Sequence, residues 1–579
     1  MKTSKIIFDI ECDSLKPTKI HCIVAKELGG SIHKFTPNKI DEGIKFLENA
    51  DVLVGHNILS YDIPVIKKLT DVDLPNKDIE DTLVMSRLFY PIRENGHSLK
   101  TWGYRVNFVK QEQPLDFEVF TPQMLEYCVN DVMLNELVYL QLAKEGKGFD
   151  EKSIELEHQV AKVIADQEAN GFKFDEKKAT MLLAELKTKM NEVTDEVQQT
   201  FKPRMVDIKL VTPKFKKDGE LSKSGLRPEE YNRLIESGDY SPFMRQELQE
   251  FNLGSRKQIG EYLIEFGWKP NRFTPTGQPI VDEGTLKKIT HIHEAKLIAD
   301  FLLYQKRIAQ VQSWIDAVEE DGRVHGSVIP NGTITGRMSH SHPNVAQVPA
   351  VYSPFGKECR SCWTVDEGNV LLGVDASGLE LRMLAHYMDD KDYINEVING
   401  DIHTTNQNLA GIESRDKAKT FIYALVYGAG NAKIGQVVGG NRTAGKQLRD
   451  RFLTNLPSLK KLTDRVQQAS RRGFLKGLDG RKIYVRSEHA ALNTLLQGGG
   501  AIVMKKGLVL LDQILKLNAV DYKFVANIHD EWQIEVKENQ ADFVGNLAVE
   551  NLIKAGEYFN LRCPLDGEYK IGRSWYDTH

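Results

Sequence analysis

Residues 415–428 read RDKAKTFIYALVYG, and in them Arg415, Lys419, Tyr423 and Tyr427 recur at every fourth position. At 3.6 residues per turn that spacing draws two cations and two aromatic rings into one slowly drifting stripe of a helix. Cations bind phosphate and aromatic faces accept stacked bases, so the stripe suits a nucleotide, with its phosphates towards Arg415 and Lys419 and its base or sugar against the rings. The same spacing also suits a solvated face with buried tyrosines, and the rest of the chain has to decide between them.

The 579 residues suffice for about four domains of ordinary size. Hydrophobic residues make up 41% and charged residues 27%, the balance of a globular chain and neither a disordered nor a membrane one. The apolar stretch 501–517 is interrupted by Lys505 and Lys506, and the N-terminal run reaches Asp9 after three apolar residues, so no membrane partner and no signal peptide are expected, and a cytoplasmic location is. The net charge of −5 reports a sum and leaves room for basic surfaces and acidic metal sites alike. Only Cys359 and Cys362 among the six cysteines share a two-residue spacing, and nothing completes a zinc set, so all six are read as reduced thiols.

The sequence KIIFDI at 5–10 is a strand pattern, and Asp9 and Glu11, two apart, leave it on one face. DVLVG at 51–55 is a second strand, followed by Asp62 and by Pro64 in what reads as a first helical turn. MLEYCVNDVMLNELVYL at 124–140 reads as a helix with Tyr127 and Asp131 on a shared face. Four acids delivered in this order are what a pair of divalent cations needs to activate water and hold a leaving oxygen. Asp9 and Glu11, Asp62, and Tyr127 with Asp131 resemble the three motifs of the DEDD-type 3′-5′ exonucleases in their tyrosine form. The resemblance covers roughly the first 145 residues and implies an RNase H-like α/β fold.

Beyond it, residues 151–200 are helically periodic with Gly171 as a stop, whereas 202–240 lose periodicity and gather lysines at 209, 214, 216 and 217, the pattern of a basic or merely solvated loop. NLGSRKQ at 252–258 opens a helix whose start suits a phosphate. In the turn-rich stretch 324–349, Arg337, Asn344 and Gln347 offer donors. VLLGVDASGLELR at 370–382 reads as a buried strand delivering Asp375, a turn at Gly378 and a helix start with Glu380; YKFVANIHDEWQIEV at 522–536 reads as a hairpin whose turn exposes Asp530 and Glu531 beside His529. GNRTAGKQ at 440–447 approaches a phosphate-binding loop, but Gln447 stands where a hydroxyl should hold magnesium.

Asp375 and Asp530 are strand-borne carboxylates on either side, in sequence, of a helix with phosphate-binding cations, an arrangement that fits two-metal phosphoryl transfer. DASGLELR, the 415–428 helix and HDE at 529–531 resemble, in order, motifs A, B and C of family A DNA polymerases. DTLVMSRL (81–88), TGRMSHSHPNVAQVP (335–349), DIHTTNQ (401–407), GLDGRKIYVRS (477–487) and ALNTLLQ (491–497) extend the resemblance over nearly the whole chain, to the phage subgroup of the T-seven type. That subgroup joins a proofreading domain directly to a polymerase hand, and this chain likewise starts at the exonuclease motif.

The resemblance implies an RNase H-like exonuclease domain (1–150) followed by a right hand: thumb (151–325, with a variable insertion at about 202–251), first palm part (326–400), fingers (401–489) and second palm part (490–579). It implies template-directed primer extension with dNTPs, proofreading, and two Mg2+ ions in each site, with Mn2+ as a substitute. Asp375 and Asp530 would bind the polymerase metals with Glu531 beside them; Asp9, Glu11, Asp62 and Asp131 would bind those of the exonuclease, with Tyr127 alongside. Arg415, Lys419 and His403 would hold the triphosphate, Tyr423 would meet its sugar and base, Tyr427 would lie towards the template, and Glu380 would crowd the ribose 2′ position. Arg337 and Gln497 match minor-groove donors, which test pair shape without reading sequence, and His529 a position near the primer strand; Asn344 and Gln347 join them as DNA contacts.

The implied partners are primer-template DNA, dNTPs and a helicase-primase, for a monomer in the host cytoplasm. The T-seven type captures host thioredoxin on a long thumb insertion; the stretch here is shorter and different, which leaves thioredoxin, another host protein and the loop's own grip on DNA as processivity devices. An RNA-synthesising relative would share the paired aspartates, Lys419 and Tyr423, but Glu380 and the intact exonuclease acids argue for DNA, and a decayed DNA-binding module would lack carboxylates that are all present.

Overall fold

The computed structural model describes residues 4–74, 78–112 and 116–579. The chain forms two compact units, Met1–Asp175 with Ala317–His579, and Glu176–Asp316.

In the larger unit the first element is a five-stranded sheet of β1 (Lys5–Cys12), β2 (Ile20–Glu27), β3 (Ile32–Phe35), β4 (Val52–Gly55) and β5 (Asp78–Asp81), in the order β3-β2-β1-β4-β5. β1 runs antiparallel to β2 and parallel to β4. It is central and covered on both faces, which is why Ile6, Ile7, Phe8 and Ile10 are all apolar rather than alternating with polar residues. Helix α1 (Asp62–Thr70) follows β4, and α2 (Pro122–Glu145) packs on β1 and β2. Thr121 caps α2, accepting the Met124 N–H at 3.2 Å, and Pro122 occupies the first turn.

Helix α3 (Glu151–Asn170) stops at Gly171, φ 60°, as its sequence predicts. Leu156, Val160, Val163 and Ile164 sit in the core that also holds Leu372, Val374 and Ile534, so α3 belongs to the larger unit, and the 151–325 stretch expected to be the thumb is divided. A buried ionic knot fastens α3: Glu157 accepts from Lys505 at 2.6 Å and from Arg481 at 2.5 Å, while Arg481 also pairs with Asp479 at 2.6 Å.

The smaller unit pairs the long helices α4 (Glu176–Thr200) and α7 (His293–Ile315) over a core of Val197, Phe201, Tyr262, Trp268 and Ile298, with α6 (Arg256–Glu265) started by a Ser255 cap. The stretch expected to be an aperiodic loop is ordered: β6 (Arg204–Val211) and β7 (Phe243–Gln249) form an antiparallel pair, with α5 (Pro228–Ser237) between them in sequence. Two features conceal it. The partner strand lies more than thirty positions away, and an irregularity between Asp207 and Lys209 breaks the alternation.

The second sheet of the larger unit is antiparallel, ordered β9-β10-β8-β11, from β8 (Asn369–Ala376), β9 (Tyr522–Ile528), β10 (Glu531–Lys537) and β11 (Gly567–Gly572). Against it and beside it lie α8 (Leu379–Met388), α9 (Ile402–Ala410), α10 (Arg415–Val426), α11 (Arg442–Asn455), α12 (Ala491–Leu517) and α13 (Ala541–Tyr558). The helix ending at Leu517 is long and apolar enough to cross a membrane, yet 83% of its most apolar window is buried within the protein's own core.

Candidate active sites

β8 carries Asp375 to its C-terminal end, directly across from Glu531 in the register with β10. The β9–β10 turn brings Asp530 alongside: the Ala376 N–H donates to the Asp530 carbonyl at 3.0 Å, and His529 takes φ 60°, the left-handed geometry of a tight reversal. Burial and the neighbouring Asp530 and Glu531 push Asp375 up to about 7. Burial and Glu380 raise Asp530 to about 6.

Glu531 behaves differently, and here the expectation of exposed turn acids is corrected: Glu531 is buried, because it is the first residue of β10 and not part of the turn. It accepts from Trp575 Nε1 at 2.5 Å and Gln533 Nε2 at 2.5 Å, with His579 Nδ1 at 3.0 Å and Arg360 at 3.9 Å. Burial alone would raise its pKa, but His579, Arg360 and Trp575 outweigh that and hold it below the usual range. Of three neighbouring acids, one is held low by its partners, and burial and like charge leave the other two raised.

α10 has its apolar face, Ala418, Phe421, Ile422 and Val426, fully in the core, and its other face carries Arg415, Lys419, Tyr423 and Tyr427. The tyrosines are not core residues: Tyr427 is 45% exposed and stacks at 6.4 Å on half-buried Tyr423, whose ring lies 6.2 Å from His403. Arg415 is held by Asp401 at 2.7 Å, and Asp401 in turn caps α9 through the His403 and Thr404 N–H groups. The Tyr427 hydroxyl donates to Glu380 at 2.7 Å, and Arg337 lies 3.5 Å from the same carboxylate. One buried glutamate therefore joins α10, α8 and the 337 turn. Gln497 is half-buried and bonded to Asn493 at 3.0 Å, while Asn344 and Gln347 are exposed.

The near-match at 440–447 is a packed helix start. The Asn441 side chain accepts the Thr443 and Ala444 N–H groups at 3.0 and 3.1 Å, and a Cβ on Gly445 would stand 1.8 Å from the Asn431 carbonyl oxygen. The glycine admits a backbone neighbour and no phosphate cradle is left open.

The second cluster forms where β1, the start of α1 and the middle of α2 meet. Asp62 accepts the Ile10 N–H at 3.1 Å, fastening α1 to the strand that bears Asp9 and Glu11. Burial, then the neighbouring acids, raise Asp9 well above the ordinary range and Glu11 to about 8. Burial raises Asp62 to about 7, and raises Asp131 despite Lys110. Lys110, which no sequence pattern pointed to, bonds Asp131 and lies 4.4 Å from the centre of the Tyr127 ring. Among the described residues it is the one cation close to the four acids. Hard oxygen donors short of positive charge fit divalent magnesium in both clusters. His579 and Cys128, the latter 3.5 Å from Asp9, also escaped the sequence reading.

A two-cluster arrangement on these sheets, with a cationic helix facing a carboxylate pair, is that of a polymerase, and comparison with known proteins agrees: the DNA polymerase family A profile matches residues 234–577. The chain belongs to that family. It is 34% identical over 99% of its length to the whole DNA-directed DNA polymerase of Enterobacteria phage T3, and 33% identical, again over 99% of its length and the whole relative, to that of Escherichia phage T7. It is 26% identical to DNA polymerase I of Aquifex aeolicus, over 92% of this chain and 89% of that one. The alignments with the phage enzymes run over 707 positions, so those relatives carry segments that the 579 residues here lack. The fold matches a solved structure, the POL domain of Pol1 from M. smegmatis in complex with DNA primer-template and dNTP, with a TM-score of 0.79 over 100% of this chain and 96% of that one at 18% identity. The protein is a family A DNA-directed DNA polymerase in which an exonuclease-type α/β domain precedes the polymerase hand.

Proposed function

We propose that the protein replicates a phage genome, extending a primer 3′ end with dNTPs by two-metal nucleotidyl transfer at Asp375 and Asp530 and proofreading at Asp9, Glu11, Asp62 and Asp131. The observation that carries the polymerase assignment is the unequal treatment of three neighbouring acids: Glu531 is held low by its contacts with His579, Arg360 and Trp575, while burial and like charge raise Asp375 and Asp530. Divalent cations there supply a lowered pKa for the attacking hydroxyl and charge neutralisation for the leaving pyrophosphate.

The chain's own groups do the rest. Lys419 and Arg415 bind the triphosphate, Arg415 oriented by Asp401, and His403 adds a donor beside them. Tyr423 bears on sugar and base, Tyr427 faces the template side, and Glu380, fixed between Tyr427 and Arg337, crowds a ribose 2′-hydroxyl. Glu531 positions the strand end instead of binding a cation. Arg337, Gln497, His529, Asn344 and Gln347 contact primer-template, and Tyr127 with Lys110 orients the scissile end in the exonuclease. The hand follows the order thumb, palm 326–400, fingers 401–489 and palm 490–579, the 151–325 thumb stretch being divided between α3 in the larger unit and the smaller unit Glu176–Asp316, and it works as a monomer in the host cytoplasm with a helicase-primase, the 202–251 segment gripping DNA or holding a host processivity factor. Purified protein given a primed template, dNTPs and Mg2+ should extend the primer; failure to do so would refute the reading.

A further inference from the structure

The exonuclease reading leaves one side chain of its own cluster unused. Cys128 follows Tyr127 and precedes Asp131 by three positions, so it shares the helix face turned towards β1. It is fully buried, with Sγ 3.4 Å from the Asp9 carbonyl oxygen and 3.5 Å from Asp9 Oδ2. Sγ, one carboxylate oxygen of Asp9 and one of Glu11 all lie within 4.8 Å of one another. A shared cation has this geometry: with a metal–sulfur bond of about 2.3 Å, a metal–oxygen bond of about 2.1 Å and a tetrahedral angle, sulfur and oxygen stand about 3.6 Å apart.

Carboxylates alone favour magnesium and manganese, but a thiolate is a soft donor that selects zinc-like cations. We propose that Asp9, Glu11 and Cys128 form a binding site for a thiophilic divalent cation, Zn2+ or Cd2+, that competes with the hard cations of the exonuclease centre. On binding, the Cys128 S–H bond breaks, a sulfur–metal bond forms and the proton leaves to solvent, with no change of oxidation state. The cation would occupy Asp9 and Glu11 and so stop exonuclease action, whereas the groups acting on Asp375 and Asp530 include no thiol. The inhibition rests on the exonuclease assignment; the binding does not.

The test is titration of the full-length protein with Cd2+, read by the ultraviolet thiolate-to-cadmium charge-transfer band and by proton release. The expected result is a saturable band at one equivalent, diminished by excess Mg2+. It should be absent in Cys128→Ser and Cys128→Ala with cadmium affinity at least about tenfold weaker, the lower end of what losing even an outer-shell partner costs. Cys22→Ser controls for the thiol on the neighbouring strand, opposite Glu11, and should keep the band. No saturable band in the parent protein, a band unchanged in both Cys128 variants, or a band that needs Cys22 and not Cys128 would each overturn the proposal. In nuclease assays in Mg2+, Cys128→Ser should withstand at least about tenfold more Cd2+ than the parent, each measured against its own uninhibited rate. A Cys128-dependent band in a protein that never cleaves DNA would keep this site and sink the exonuclease assignment instead.

Discussion

Around Asp375 and Asp530 the protein holds their neighbour Glu531 low, through His579, Trp575 and Arg360, whereas around Asp9, Glu11, Asp62 and Asp131 it gives one ammonium, Lys110, to four carboxylates. The first cluster sorts its acids into a positioning group and a cation-binding pair. The second does not sort them, and leaves a larger excess of negative charge to bound cations. Burial makes that excess felt, because like charges repel more strongly where water is scarce.

The comparison breaks most directly if the clusters are not independent. Asp375→Ala should lower primer extension by about 1000-fold or more and spare degradation of single-stranded DNA, and Asp9→Ala with Glu11→Ala should do the reverse. Either variant losing both activities in a gel assay would refute two separate metal sites. Glu531→Ala tests the sorting: removing it strands buried Arg360, so stability should fall by about 3–5 kcal/mol in a denaturant melt, whereas Asp375→Asn, which relieves repulsion, should not destabilise the metal-free protein. Lys419→Ala should reduce kcat/KM for dNTPs about 10- to 100-fold, as expected for one charged contact to phosphate.

The pH dependence sharpens the contrast. Glu11 and Asp62 are raised in the folded protein to about 8 and about 7, so between their ordinary values and these the folded state binds more protons than the unfolded one, and stability falls as pH rises. Metal-free protein should therefore melt lower at pH 8 than at pH 5, with the gain in melting temperature from added Mg2+ growing over the same range. Asp62→Asn should flatten that slope. The smallest effect is at α10: Tyr423→Phe should strengthen discrimination against dideoxynucleotides by a few-fold, about 1 kcal/mol, measured by competitive incorporation.

What could be read from the sequence was what has a short period. The stripe at Arg415, Lys419, Tyr423 and Tyr427 is a four-residue repeat, and α10 places its apolar residues opposite as that repeat demands. Asp9 and Glu11 are two apart on a strand, and Asp375 ends an unbroken apolar run. What escaped depends on distant partners. Nothing near Lys110 indicates that it will reach Asp131, and nothing local shows that His579 will meet Glu531 across 48 positions of chain. β6 and β7 escaped because an alternating pattern interrupted after Asp207 looks like none. The burial of Glu531 follows from a one-residue difference in where the turn ends, which pattern reading does not resolve.

The knot of Glu157, Lys505 and Arg481 bears on where the polymerase could be cut from its neighbour. A fragment beginning at 151 keeps the knot and the Leu156 to Ile164 seam with it, whereas one beginning at 176, where the smaller unit starts, would strip the Lys505 ammonium of Glu157 in a dry interior and leave Arg481 with Asp479 in place of two carboxylates. Stranded buried charge of that kind costs several kcal/mol, so the shorter fragment should come out insoluble where the longer one folds. α3, silent in chemistry, thus sets the practical border of the catalytic half.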